Sequence, residues 1–123
     1  MKKILIWIIV LLLAVALFFI LKPVFTGKAI DEENSELDKF AKSLSNANVT
    51  MYGTSWCSHC QNQKKLFGKS FKYINYVDCD LDSEICQAEK ITGYPTWKIN
   101  GTLYPGEKSF AALSQLSGVP LNF

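Results

Sequence analysis

One unbroken apolar run and a series of short, punctuated segments divide this chain. Ile4 to Leu21 is 18 residues without a charge, with Lys2-Lys3 before it and Lys22-Pro23 after it. A helix of about 18–20 apolar residues spans the hydrocarbon core of a bilayer, so residues 1–22 are expected to form a membrane anchor. A cleaved signal peptide competes with that reading. Its apolar region usually runs to about 7–15 residues, and Gly27-Lys28-Ala29 offers a small-x-small cleavage site. Residues 23–35 are polar, contain Pro23 and Gly27, and read as a tether.

Residues 36–123 carry the pattern of a folded domain. Ser35 suits a helix N-cap, with Asp38 three residues on, and Leu37, Phe40, Ala41 and Leu44 follow helical spacing. Val49 to Tyr52 reads as a strand. Gly53-Thr54-Ser55 then turns the chain into Trp56-Cys57-Ser58-His59-Cys60 and a helix-like run, Gln61 to Phe67, stopped near Gly68. Phe71 to Val77 is aromatic and β-branched and reads as a second strand. Asp78 to Asp82 is a loop, and Ser83 to Lys90 a short helix ended before Gly93. Thr96–Ile99 and Thr102–Tyr104 flank Asn100-Gly101, a strong hairpin signal because both central residues need positive φ. Ser109 caps a last helix with Phe110, Leu113 and Leu116 on one face, ended by Gly118 and Pro120.

The first two strands, joined through a helix, are expected to run parallel by a right-handed crossover. The last two form an antiparallel hairpin. The fold class is α/β: a four-stranded mixed sheet with helices on both faces, preceded by the membrane helix. So small a core gains from a covalent staple.

Charge sharpens the division. The whole chain has 13 Lys and no Arg against 11 acids, a formal charge of +2, but residues 31–123 alone carry −2. No basic patch points to nucleic acid, and the absence of Arg removes the bidentate phosphate fork. Four cysteines in a small domain suit an oxidising compartment. The domain is therefore expected outside the cytoplasm, with the amino terminus cytoplasmic and the chain single-pass in the cell membrane, although the flanking lysines are a weak guide to orientation.

Cys57-Ser58-His59-Cys60 carries the chemistry. A Cys-x-x-Cys pair where a strand enters a helix has the geometry of a reversible disulfide. Cys57 is the expected attacking sulfur, because the helix dipole favours its thiolate. Cys60, one turn further in, is expected to resolve the mixed disulfide. The bland alternatives are a structural disulfide and half a zinc site. A spacer of 18 residues fits zinc, but six residues separate Cys79 from Cys86 where a second knuckle has two. His59 either tunes Cys57 or is an ordinary solvated residue. It is the only histidine, which argues against a His-based metal site. Trp56 and Trp97 divide between rim and core. Pro95, after Tyr94, is either an ordinary trans proline opening a strand or part of a substrate-binding loop. Asn48-Val49-Thr50 and Asn100-Gly101-Thr102 match the glycosylation triplet, a pattern common by chance.

Residues 48–118 resemble a thioredoxin fold. Trp56-Cys57-Ser58-His59-Cys60 matches its Trp-Cys-x-x-Cys motif, Gly93-Tyr94-Pro95-Thr96 its cis-proline loop, and Gly106 a glycine that recurs after the hairpin. A narrower pattern adds Tyr52-Gly53, Gln61, Leu66-Phe67-Gly68, Tyr76-Val77-Asp78-Cys79, Trp97-x-Ile99-Asn100-Gly101 and Ser117-Gly118. It is similar to the thioredoxin-like domain fused to bacterial vitamin K epoxide reductase homologues. That resemblance implies a cis Tyr94–Pro95 bond exposing backbone for substrate pairing, and a second cysteine pair, Cys79 with Cys86. It also implies disulfide exchange with a quinone-linked membrane protein. One departure concerns proton transfer: many thioredoxins carry a buried acid six residues before the first cysteine, where this chain has Met51.

The expected activity is that of an extracytoplasmic thiol–disulfide oxidoreductase, acting on protein thiols and disulfides with no cofactor. A disulfide donor is favoured, reoxidised by a separate vitamin K epoxide reductase homologue in the membrane. A reductase of similar fold, serving disulfide isomerisation or cytochrome c maturation, and a non-catalytic module stapled by its disulfides are the alternatives.

Overall fold

The structure is a computed structural model and describes residues 1–20 and 33–123. Most of the expected tether, with the Gly27-Lys28-Ala29 triplet, lies outside the described residues. Helix α1 (Lys2–Ile20) contains an 18-residue window, Lys2–Phe19, of mean hydropathy 2.5, none of it buried. It is, among the described residues, the one helix long and apolar enough to cross a membrane.

Helix α2 (Glu33–Asn46) begins two residues before Ser35, so Ser35 lies inside the helix and is not its cap. Glu36 and Asp38 lie near its start, where acids complement the dipole. Phe40, Ala41 and Leu44 are buried. Strand β1 (Thr50–Gly53) follows a turn in which Asn48 takes φ 56°. Helix α3 (Ser58–Phe67) ends at Gly68, whose φ is 53°.

The expected strand from Phe71 to Val77 is mostly not a strand. Gly68–Tyr73 is a 3-10 segment, and only Asn75–Asp78 forms β2. Packing takes the aromatics instead. Phe71 meets Phe67 and Tyr76 at ring distances of 6.2 and 5.6 Å, and Lys42 stands 4.2 Å over the Tyr73 ring. Ser45 donates its hydroxyl to the Tyr73 carbonyl and accepts the Asn75 N–H at 3.1 Å, which marks where pairing begins. Helix α4 (Ser83–Ala88) is shorter than expected, closed by Lys90 at φ 60°. Cys86 lies in its second half.

Strands β3 (Thr96–Ile99) and β4 (Thr102–Pro105) form the hairpin, with φ of 50° at Asn100 and 79° at Gly101. Helix α5 (Phe110–Ser117) is capped by the Ser109 side chain, which accepts the Ala112 N–H, and ends at Gly118 in the left-handed region. The sheet order is β2-β1-β3-β4. β1 and β2 are parallel, and the other pairs antiparallel.

Strand alternation places Met51 in one core and Tyr52 in another. Met51 joins Phe40, Leu44, Cys60, Phe67, Trp97 and Leu113. Tyr52 packs with Cys79 and Cys86. The cysteine motif therefore sits over the larger core, and the second pair belongs to the smaller one.

Candidate active site

Cys57 is the N-cap of α3, in extended conformation at φ −75° and ψ 115°. Its Sγ accepts the Cys60 backbone N–H at 3.1 Å, doing for the helix what a Ser or Asp oxygen does. The sulfur lies at the positive end of the helix dipole. Cys60 is fully buried, Cys57 nearly so, and both are free thiols. Burial above all, then the hydrogen bond with Cys57, pushes the Cys60 thiol up to about 11, against the Thr54 backbone and the Lys64 charge. Cys60 therefore holds its proton at neutral pH.

An open pocket of about 600 Å³ is lined by Trp56, Cys57, Ser58, His59, Thr92, Gly93 and Tyr94. It brings the cysteine motif and the loop before β3 to one surface. Tyr94–Pro95 is a cis peptide, and Pro95 is buried. Trp56 is 72% exposed, with its ring edge-on to Tyr94 at 6.1 Å. His59 Nδ1 lies 2.6 Å from Glu107 Oε1, a contact that holds the Glu107 carboxyl below its usual range. Cys79 and Cys86 are joined by a disulfide seven residues apart in sequence, outside this pocket. Among the described residues, no group of three His, Cys, Asp or Glu side chains is placed to hold a metal ion.

Four residues to which sequence reasoning gave no role shape the site. Asp80 accepts from the Ser55 N–H at 3.1 Å, the Ser55 hydroxyl at 3.0 Å and the Trp56 indole at 3.0 Å. The Ser55 N–H first, then the indole and hydroxyl bonds, keep its carboxyl below the ordinary range. Glu107 holds His59 and also accepts from Asn62 at 3.4 Å. Gln63, buried in α3, accepts the Lys108 N–H at 2.7 Å and donates to the Lys108 carbonyl at 3.0 Å, which pins the Glu107 loop to the helix. Tyr76 stands behind Cys60. A Cβ built on Gly53 would meet Cys60 Sγ at 3.0 Å and the Tyr76 hydroxyl at 3.4 Å. The hydrogen bonds among them span 24 to 48 residues, beyond any local periodicity. The one available signal was a carboxylate directly after Cys79 and another after Gly106.

No protein-family model matches this chain. It is 38% identical over 109 residues to the thiol-disulfide oxidoreductase LTO1 of Arabidopsis thaliana, a match covering 81% of this chain and 29% of that protein. It is 28% identical over 86 residues to a thioredoxin domain-containing protein 5 homolog of Drosophila melanogaster, covering 60% of this chain and 21% of that one. The chain thus spans less than a third of either relative's length. The oxidised thioredoxin of Plasmodium falciparum aligns with a TM-score of 0.40 and 25% identity, over 65% of this chain and 88% of that one, too loose a superposition to carry weight. The parallel β1–β2 pair, the β3–β4 hairpin and a Cys-x-x-Cys motif at the start of α3, together with the likeness to LTO1, show that this chain carries a thioredoxin-like domain akin to thiol–disulfide oxidoreductases.

Proposed function

We propose that this chain is a membrane-anchored thiol–disulfide oxidoreductase that donates the Cys57–Cys60 disulfide to protein thiols outside the cytoplasm. The observation that carries the proposal is Cys57 at the N-cap of α3, its sulfur hydrogen-bonded to the Cys60 N–H and opening on the pocket shared with Tyr94. A substrate thiolate attacks Cys57 Sγ, the Cys57–Cys60 bond breaks, and Cys60 leaves as a thiolate that takes up a proton. A second substrate thiol then displaces Cys57, so the substrate gains a disulfide and the domain ends as a dithiol. Stabilising the reduced form as thiolate makes a disulfide more oxidising, and the helix start and the neighbouring His59 support that direction. The Tyr94 backbone before Pro95 is the proposed edge for strand-like pairing with substrate.

Residues 1–22 are the proposed anchor and 23–35 the tether, with the thioredoxin-like domain extracytoplasmic. Tethering confines the domain near the bilayer and raises its effective concentration towards a membrane partner. The proposed oxidant is therefore a separate quinone-linked membrane protein of the vitamin K epoxide reductase kind.

Oxidation of a reduced dithiol peptide by the full chain in detergent tests the reading. Cys57→Ser should abolish it, while Cys60→Ala should accumulate mixed disulfides at Cys57. Full activity in Cys57→Ser would sink the assignment. An equilibrium potential as reducing as that of thioredoxin, about −270 mV, would overturn the donor direction and leave a reductase.

A further inference from the structure

Cys60 is the sulfur that must become a buried anion, whichever way exchange runs. Met51, beneath the motif in β1, is an uncharged core residue. Tyr76 is its register partner on β2 and packs on the same core. The Tyr76 hydroxyl is buried and makes no hydrogen bond, one of two such side-chain atoms among the described residues; the other is the Thr54 hydroxyl. The Tyr76 hydroxyl lies beside Cys60: a Cβ built on Gly53 would sit within 3.4 Å of both Cys60 Sγ and that hydroxyl. A buried donor without a partner is destabilising. Lys64, one turn beyond Cys60 on α3, stands 3.9 Å over the Tyr76 ring and holds it in place.

We propose that the Tyr76 hydroxyl is the hydrogen-bond donor that stabilises Cys60 as a thiolate during disulfide exchange, with Lys64 fixing the ring. The inference rests on the redox reading of Cys57 and Cys60. When a substrate thiolate attacks Cys57, the electron pair of the breaking Cys57–Cys60 bond stays on Cys60. Tyr76 then donates its O–H to that sulfur and keeps its proton, and solvent later protonates the thiolate. In the reverse step the Cys60 thiol loses its proton to solvent, its sulfur attacks Cys57, and the substrate sulfur leaves with the electron pair. Tyr76 is suited to donate without ionising. Burial first, then Asp78, Cys60, Asp80 and Cys57, pushes it up to about 12, so the hydroxyl keeps its proton at neutral pH. The charged or titratable groups acting on the two side chains are Cys57, Lys64, Asp78 and Asp80.

Tyr76→Phe removes only the oxygen. If the proposal holds, the reduced full chain melts at the same or higher temperature, because an unpaired buried donor is gone. The acid dissociation of Cys60, followed by NMR of its labelled Cβ, weakens about tenfold, and peptide oxidation slows several-fold. A Cys60 titration unchanged from wild type overturns the proposal, even if activity falls. Should wild type prove inactive on peptides, the redox reading fails while the Cys60 titration still decides the role of Tyr76. Cys57 alkylation at neutral pH should change little in Tyr76→Phe; a large change there would place the hydroxyl's effect on Cys57 and overturn the assignment to Cys60.

Discussion

Asp80 and Glu107 act on the site through single side chains. The Asp80 carboxylate joins the backbone before the motif to the indole at the pocket rim, so Asp80→Ala should free Trp56 and weaken peptide exchange while leaving small dithiols less affected. Its acid form is disfavoured, with a folded value below the ordinary 3.8. The hydrogen bonds are therefore complete above that value and are lost only as pH falls through the lowered one. Trp56 fluorescence, with Trp56→Phe as the blank, should stay constant down to pH 4 and change below it; a transition near pH 6 would contradict the contact. Cys60 gives the opposite sign. Its folded value of about 11 exceeds the ordinary 9.0, so the stability of the reduced form is full below pH 9 and declines between 9 and 11. Urea titrations across that range should show the decline in wild type and less of it in Cys60→Ala. Gly53 is constrained by contact, since a Cβ there would meet Cys60 Sγ at 3.0 Å and the Tyr76 ring at 3.2 Å. Gly53→Ala should cost about 1–3 kcal/mol by overpacking, measured as a lower urea midpoint.

At the scale of elements, the Cys79–Cys86 bridge ties the end of β2 to α4 and closes the smaller core around Tyr52. A loop this short stabilises by about 2–3 kcal/mol in the chain-entropy model. Cys79→Ser/Cys86→Ser should therefore lower the melting temperature by roughly 10 °C or more and retain most peptide oxidation. Loss of oxidation at unchanged melting temperature would instead make the bridge an electron relay. Cys79 also donates its N–H to the Gly53 carbonyl at 2.8 Å, and Asp80 follows directly. Some slowing through the Trp56 contact is expected even from a staple.

For the whole molecule, the proposed anchor and the thioredoxin-like domain should be separable in chemistry. A fragment from Asp31 onward should oxidise peptides in solution like the full chain, because every site contact described lies within residues 37–121. In cells it should be reoxidised more slowly. Trapping with Cys60→Ala in native membranes should capture a multi-span partner as a Cys57 mixed disulfide; adducts with soluble proteins alone would remove the proposed oxidant.

The elements that sequence periodicity and punctuation specify locally were legible. The apolar run of α1, the Phe40–Leu44 spacing of α2, the Asn100-Gly101 turn and the Ser109 and Gly118 caps each depend on residues a few positions apart, and each has one cheap backbone solution. The position of Cys57 at a helix start was legible for the same reason, and the mixed sheet from the order of the elements and the handedness of the crossover. Local pattern misled where the same residues serve two purposes: Phe71 and Tyr73 have strand propensity, yet core packing against Phe67 and Tyr76 and the Ser45 clamp draws them into a 3-10 segment. Ser35 was a plausible cap, but the helix begins two residues upstream of it. Asp80 on Trp56, Glu107 on His59 and Tyr76 behind Cys60 were decided by tertiary structure alone. Each joins groups on different elements, and electrostatic partners chosen across a fold leave no period in the sequence.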